Sequence, residues 1–508
     1  MDNLAGNKTI AKNTVFLYLR MTIVMLVTLY TSRVVLKELG VNDYGIYQAV
    51  GGVAGFIAFI NNALSTGTSR FITFALGQND GSVLRKTFST ALSSHIVLGL
   101  LIVLIAETVG LWYVKVKMVI PEERFTAALA VYQISILTTF ISIIQVPFYA
   151  EVIAHEKMSV FAYAGIAEAV SKLGIVCLLS LGGVDKLVLY AMLLLLIHIC
   201  IFCFYVFYSR RNFKESSFRL GFDKELFGQL FSFSGWSLFA NGSIALSNQG
   251  ILLLLNQFFS PAVVAARSIS LQVNNAASSF VQNFRTAANP QIVKRYAADD
   301  LAGSKALLLE STKFSFFLML LIALPLFFLA EPLLYLWLVE VPEYTVTFLQ
   351  IVVLQSLFQV FDTSFYTALY TKGRIKENAI VSPLIVFLCF PVVYLLFKSG
   401  SSPLALSWAY LACYAILGLF VKPLLLNKIC GYNWKEISGV FGSCLLVTIA
   451  AVPIPLLIYQ RMGVDTLAGS ITALVVSLAA VAIAVWFFGI NQRMRDSLIL
   501  AIKKRGRV

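Results

Sequence analysis

"PFYAEVIAHEKM", Pro147 to Met158, closes one long apolar stretch, and "SFYTALYTKGRI", Ser364 to Ile375, closes another. Phe148-Tyr149 matches Phe365-Tyr366, Lys157 matches Arg374 and Gln133 matches Gln350, each pair 217 residues apart (365 − 148, 374 − 157, 350 − 133). Self-similarity at a fixed offset marks a duplicated architecture. The offset spans six apolar stretches, an even number, so the two copies point the same way. That is the pattern of parallel repeats related by an axis along the membrane normal.

A membrane is the only solvent that suits this composition. The 508 residues are 59% hydrophobic and 13% charged, with a mean hydropathy of +0.84, values outside the ordinary soluble range. Only helices and closed barrels satisfy their backbones in hydrocarbon, and the runs here are long and unalternating, so helices are expected. A span needs roughly 20 apolar residues. Stretches of that kind run over 13–36, 44–69, 83–113, 125–152, 159–181, 187–208, 227–258, 261–288, 306–338, 346–370, 379–397, 404–426, 437–459 and 466–488. They define an all-α membrane protein of about 14 spans. The repeat divides it into an N-terminal lobe over 1–209, a C-terminal lobe over 210–426, and two accessory helices with a basic tail over 427–508.

Lysine and arginine orient these spans, because cytoplasmic loops retain positive charge. With the N-terminus inside, cytoplasmic segments hold Arg85-Lys86, Arg210-Arg211, Lys294-Arg295, Lys372, Arg374, Lys422, Lys428 and the tail Lys503-Lys504-Arg505, while outer loops hold only Lys37, Lys115, Lys117, Arg124, Lys186, Lys398 and Arg461. Both termini are thus expected in the cytoplasm. The net charge of +14 reads as a topology signal, with no nucleic-acid partner implied. The first apolar stretch lacks a small-residue cleavage site and reads as helix one. Three scattered histidines form no zinc constellation, so no metal or cofactor is expected.

Polar residues inside the membrane are costly and face a cavity or another helix. In helix eight, Arg267, Asn274, Ser278, Gln282 and Arg285 recur at helical periodicity. Helix seven carries Asn241, Asn248 and Asn256 in another such stripe, helix two carries Asn61, and helix one carries Arg20. These four helices, paired one with seven and two with eight by the repeat, hold four arginines and no aspartate or glutamate. Amides and hydroxyls alone would serve as helix glue. Uncompensated arginines point instead to an anionic substrate, since a guanidinium grips phosphate in bidentate fashion while Asn, Gln and Ser suit sugar hydroxyls. Three acids sit in apolar surroundings: Glu107, Glu168 and Asp362. Glu168 precedes Lys172 by one helical turn and reads as a structural pair. Asp362 has no cation nearby in sequence and is the candidate for coupling to a proton or sodium ion.

"LGVNDYGIYQAVGG" (39–52), "FITFALGQND" (71–80), "AARSISLQVNNAASSFVQNFRTAANPQIVKRYA" (265–297) and "FYAEVIAHEKM" (148–158) together resemble the oligosaccharide flippases of bacterial O-antigen and capsule synthesis. These belong to the multidrug/oligosaccharidyl-lipid/polysaccharide exporter superfamily. The resemblance implies a MATE-like fold with two six-helix lobes around a cavity lined by helices one, two, seven and eight. It also implies alternating access that carries an undecaprenyl-pyrophosphate-linked oligosaccharide across the bacterial inner membrane. Arg267 looks like the helix-eight cavity arginine of peptidoglycan-precursor flippases, and Arg20 is similar by helix to their helix-one arginine. Membrane lipids and a polysaccharide polymerase are the further partners it suggests. A multidrug exporter of the same fold would place acids, not arginines, in the cavity. A membrane polysaccharide polymerase would need a substantial outer loop or clustered carboxylates, and neither is visible in the sequence.

The topology is directly testable. Cysteines introduced at Gly81 and Ser216 should resist a membrane-impermeant thiol reagent on intact cells, and one at Gly463 should react. Labelling of Gly81→Cys from outside would reverse the orientation.

Overall fold

The computed structural model describes residues 22–51, 68, 71–73, 75–76, 80–155, 157–179, 185–216, 223–228, 249–338, 340–374, 376–462, 467–490, 492 and 495–496. Within these residues the chain is helical and contains no strand. Among the described residues ten helices are long and apolar enough to span a membrane. They coincide one for one with the third to sixth and ninth to fourteenth stretches expected from the sequence. Helix eight is present as Pro261–Ala297, the longest helix described at 37 residues, but it is too polar to qualify on hydropathy. Much of helices two and seven, with the basic tail, lies outside the described residues.

The chain divides into two compact units, Met1–Ala265 and Ala266–Val508. The boundary at 209/210 expected above is a boundary of the sequence repeat, a different quantity from compactness. In the first unit, helical hydrogen bonding runs over 22–51 (α1), but Gly40 sits at φ 78°. Only glycine adopts this left-handed conformation without cost, so the axis breaks where an outer turn was expected. Then follow α2 (Gly81–Val116), α3 (Phe125–Ala154), α4 (Met158–Leu179) and α5 (Lys186–Asn212). A π-helical turn at Ala106–Gly110 interrupts α2. Such bulges loosen the regular ladder, and here the buried Tyr132 hydroxyl donates to the Ala106 carbonyl at 2.7 Å.

Ion pairs gather at one end of this unit. Arg124 donates from Nε to Asp43 at 2.8 Å and from Nη1 to Asp185 at 2.6 Å, while Lys186 reaches Glu38 at 2.9 Å. One guanidinium thereby ties α1, α3 and α5 together. Arg124 also holds the Asp185 carboxyl below the usual carboxylate range. At the opposite end Lys86 pairs with Asp223, and Ser216 is fully buried, which makes Gly81 the more accessible labelling site.

The second unit contains most of α7 (Pro261–Ala297), which follows α6 (Ile251–Phe258). It continues with α8 (Leu301–Phe328), α9 (Thr345–Thr371), α10 (Lys376–Lys398), α11 (Ala405–Cys430), α12 (Trp434–Gln460) and α13 (Gly469–Gly489). Helices α3 and α9 hold the repeated motif, and their ends are built alike. His155 N–H donates to Glu151 O at 3.0 Å and Lys157 N–H to Val152 O at 3.0 Å; at the offset of 217, Lys372 donates to Ala368 O at 3.1 Å and Arg374 to Leu369 O at 3.0 Å. Gln133 donates from α3 to Glu107 on α2 at 3.1 Å, and its counterpart Gln350 donates from α9 to Phe327 O on α8 at 3.0 Å. The duplicated letters thus mark a duplicated packing of the fourth helix of each repeat on the third.

Helix α11 meets α9 at Gly418, where an added Cβ would lie 2.6 Å from the Phe358 carbonyl oxygen. Four residues further along each helix stand Lys422 and Asp362. Gly418→Ala should therefore cost about 1–3 kcal/mol through overpacking and lower the thermal midpoint of the purified protein. Gly174→Ala, in open space on α4, should leave the midpoint unchanged or raise it slightly. Equal midpoints for wild type and Gly418→Ala would show that the approach is not tight.

Candidate functional site

Helix α7 is fastened along α9 by its polar stripe. Asn274 accepts from the Ser356 hydroxyl at 2.7 Å, Arg285 donates to the Thr363 carbonyl, and Asn289 accepts from the Thr367 hydroxyl at 3.2 Å. Partner numbers rise together on both helices, so α7 and α9 run parallel. Beside this seam opens a cavity of about 380 Å³ whose polar lining includes Asn275, Ser278, Gln282, Arg285, Gln359 and Thr363. Its size falls within the usual range of small-ligand pockets. Among the described residues that line it, Arg285 is the only ionisable one.

Behind the cavity lies a buried charge cluster. Asp362 on α9 pairs with Lys422 on α11, Nζ to Oδ1, at 3.1 Å, the lysine side chain being 2% exposed. Lys422 also donates to the Asn378 side chain on α10 and lies 5.5 Å from the centre of the Tyr366 ring. Among the described residues Asp362 is ion-paired with Lys422, and Arg285 forms no ion pair, its hydrogen bonds going to a neutral side chain and a backbone carbonyl. Arg285 offers five N–H donors, and Gln282, at a long 3.5 Å, and the Thr363 carbonyl take only part of that capacity.

The other expected site residues are placed differently. Arg267 is 1% exposed, donates to Ser407 on α11 at 3.0 Å and lies 5.6 Å from the centre of the Phe348 ring on α9. It stands 18 residues before Arg285 on one helix, roughly 27 Å at 1.5 Å per residue, so one pyrophosphate cannot touch both. Asn274 adjoins the cavity through Ser356, while Gln282 and Arg285 line it. Asn256, in the first unit, is fully buried and donates to the Val119 carbonyl at 3.3 Å, so it packs rather than opens to a cavity. Arg20, Asn61, Asn241 and Asn248 lie outside the described residues. Lys422, counted above among the cytoplasmic charges, is corrected to a buried partner of Asp362. Glu168 pairs with Lys172 at 2.6 Å as expected.

Sequence reasoning misses Glu151, inside the motif that marks the repeat. It is fully buried, and both carboxylate oxygens stand 2.8 Å from the Ser216 hydroxyl. Next to it Glu215 pairs with His155 at 2.7 Å, and His155 stacks on Phe213 with centroids 4.0 Å apart. The available signal was an acid one turn inside the end of an apolar helix, which reads equally well as a side chain reaching the interface.

Residues 237–396 match the MatE family model; no curated protein sequence matches the chain. Among solved structures, the lipid II flippase MurJ in an inward closed conformation is 12% identical with a TM-score of 0.69, over 94% of this chain and 98% of that one. An inward-facing multidrug resistance MATE family transporter of the MOP superfamily is 14% identical with a TM-score of 0.68, over 82% and 99%. A MOP superfamily transporter from Pyrococcus furiosus, described as having a binding pocket of reverse polarity, is 13% identical with a TM-score of 0.54, over 85% and 96%. The chain has the MATE-type transporter fold. Its site differs from a generic helix bundle in the arginine-lined cavity and the ion pair behind it.

Removing one member of a buried pair leaves the other charge uncompensated, at about 3–5 kcal/mol. Asp362→Asn and Lys422→Met should each lower the thermal midpoint sharply, and the double variant should lose much less than the sum of the two. Strict additivity would show that the pair is not a unit.

Proposed function

We propose that this chain is a transporter, not an enzyme, and that it flips an undecaprenyl-pyrophosphate-linked oligosaccharide from the cytoplasmic to the outer leaflet of the bacterial inner membrane. The glycan would be an O-antigen, capsule or exopolysaccharide repeat unit, delivered to a polymerase. The observation that carries this reading is Arg285, placed without an ion pair among the described residues in a cavity otherwise lined by amides, hydroxyls and apolar groups. A pyrophosphate cannot cross about 30 Å of hydrocarbon alone, because desolvating an ion costs many kcal/mol. A guanidinium with spare donors offsets that cost, and amides bind sugar hydroxyls. The MATE-type fold supports transport over covalent chemistry, and the flippase among its structural neighbours supports a lipid-linked substrate.

Export of organic cations by the same fold calls for an unpaired acid in the cavity. Asp362, on the α9 helix that Arg285 packs against, is already paired with Lys422, so the sign of the charge favours an anion. Asp362 remains the proposed coupling residue, and an incoming proton or sodium ion would have to compete with the lysine ammonium.

The test is flipping of a labelled lipid-linked glycan in proteoliposomes at matched protein incorporation. Arg285→Ala should weaken transport roughly ten- to a hundredfold, the equivalent of a charged hydrogen bond worth about 1.5–3 kcal/mol. Arg285→Lys should also lose activity, because the planar fork is lost while the charge remains. Wild-type transport by Arg285→Ala would end the cationic-cavity reading. In the same assay Asp362→Asn should abolish dependence on a proton or sodium gradient, and unchanged dependence would remove Asp362 from coupling.

A further inference from the structure

The repeat end of α9 faces a second, smaller pocket in the same unit. It measures about 130 Å³ and takes Lys305, Lys372, Ser304, Tyr432, Ala368 and Ile292 among its lining, roughly four water volumes. Two lysines meet there from different helices. Lys305 on α8 donates to the Gly431 carbonyl at 2.5 Å, and Lys372, at the end of α9, donates to the Ile429 carbonyl at 2.5 Å. Lys305 also stands 5.2 Å from the centre of the Tyr432 ring. The C-terminal end of α11 thus holds both ammonium groups in place, as last-turn carbonyls do for cations. Each ammonium has three donors, and one is used on a carbonyl.

Among the described residues no carboxylate lines this pocket. Two acids close to its lining in sequence serve local structure: Asp300 caps α8 by accepting from Gly303 N–H at 2.8 Å, and Glu436 completes the capping box of α12. Three helices of spanning length and composition meet here by their ends, since Leu301–Phe328 begins and Thr345–Thr371 and Ala405–Cys430 end at this level. Ends of such helices are expected at a membrane–water boundary, the depth at which lipid phosphates sit. Apolar groups from Ile292, Leu301 and Ala368 form part of the same wall.

We propose that this pocket binds the phosphodiester headgroup of an anionic phospholipid, with Lys305 and Lys372 on the phosphate and the apolar wall against the glycerol and upper acyl chains. Basic pockets between helix ends are the usual receptors for such headgroups. The proposal does not depend on the transport reading, because the pocket is separate from the Arg285 cavity and shares no lining residue with it.

The full chain, reconstituted in phosphatidylcholine with and without phosphatidylglycerol, provides the test. Lipids retained through detergent exchange are counted by native mass spectrometry, and the thermal midpoint is read in parallel. Wild type should retain phosphatidylglycerol and melt higher in its presence. The pair K305Q/K372Q should retain it about tenfold less or weaker still, and K435Q, at the same boundary but outside the pocket, should behave as wild type. Should the lysine pair fold poorly in phosphatidylcholine alone, A368L decides, because it fills the pocket while leaving both lysines; it too should lose the retained lipid. Wild-type retention by K305Q/K372Q or by A368L would overturn the proposal. So would an equal rise in midpoint with inorganic phosphate in place of phosphatidylglycerol, since that would make the site a free-phosphate site.

Discussion

A lysine placed among apolar helices must find an anion, and in the second unit Lys422 finds Asp362. Much of that unit's geometry follows from this pair. Asp362 belongs to α9, Lys422 to α11, and the Asn378 that takes a further ammonium hydrogen bond belongs to α10. The backbone contact at Gly418 fixes the register that brings the two charges level. Desolvation makes such pairs weak as net stabilisers but severe when half removed. The pair therefore acts as a specificity device: packings of these three helices that separate the partners are excluded.

The first unit gathers another set of charges at its ends. Arg124 gathers Asp43 and Asp185 where water screens part of the cost, and Asp185 at once caps α5 through Leu187 N–H at 3.0 Å. Between the ends, neutral partners such as the Tyr132 hydroxyl on the Ala106 carbonyl stand beside the half-buried Glu168–Lys172 pair on α4. Glu151 is a fully buried acid beside the hydroxyl of Ser216. Two copies of one repeat have thus kept the helix-end hydrogen bonds and diverged in their charges. At the offset of 217, Glu151 corresponds to Ala368, and Asp362 to Gln145.

What was legible in the sequence was whatever hydrocarbon thickness or duplication imposes. Ten spans fall on the expected apolar runs because length and hydropathy decide them. The repeat was readable because Gln133 and Gln350 perform one packing task each. Pairings between distant residues were not readable. Asp362 looked unpartnered because its lysine lies 60 residues on (422 − 362), and Lys422 looked like a loop charge because it stands near the end of an apolar run. The stripe on α7 was visible by period, but periodicity states only that residues share a face. It does not distinguish Arg267, enclosed by Ser407 and Phe348, from Arg285, which lines a cavity.

That distinction bears on how one helix can carry two arginines for different ends. Ser407 and the Phe348 ring give Arg267 a hydrogen-bond partner and a π face, so its charge helps hold α7 to α9 and α11. Arg285 lines the cavity without an ion pair among the described residues, the Asp362 carboxylate being taken by Lys422. A cation of this kind is costly to keep in a low-dielectric site. The cost would fall with an anion in the cavity, and on the transport proposal that difference is the differential affinity by which a phosphate-bearing substrate would shift a conformational equilibrium.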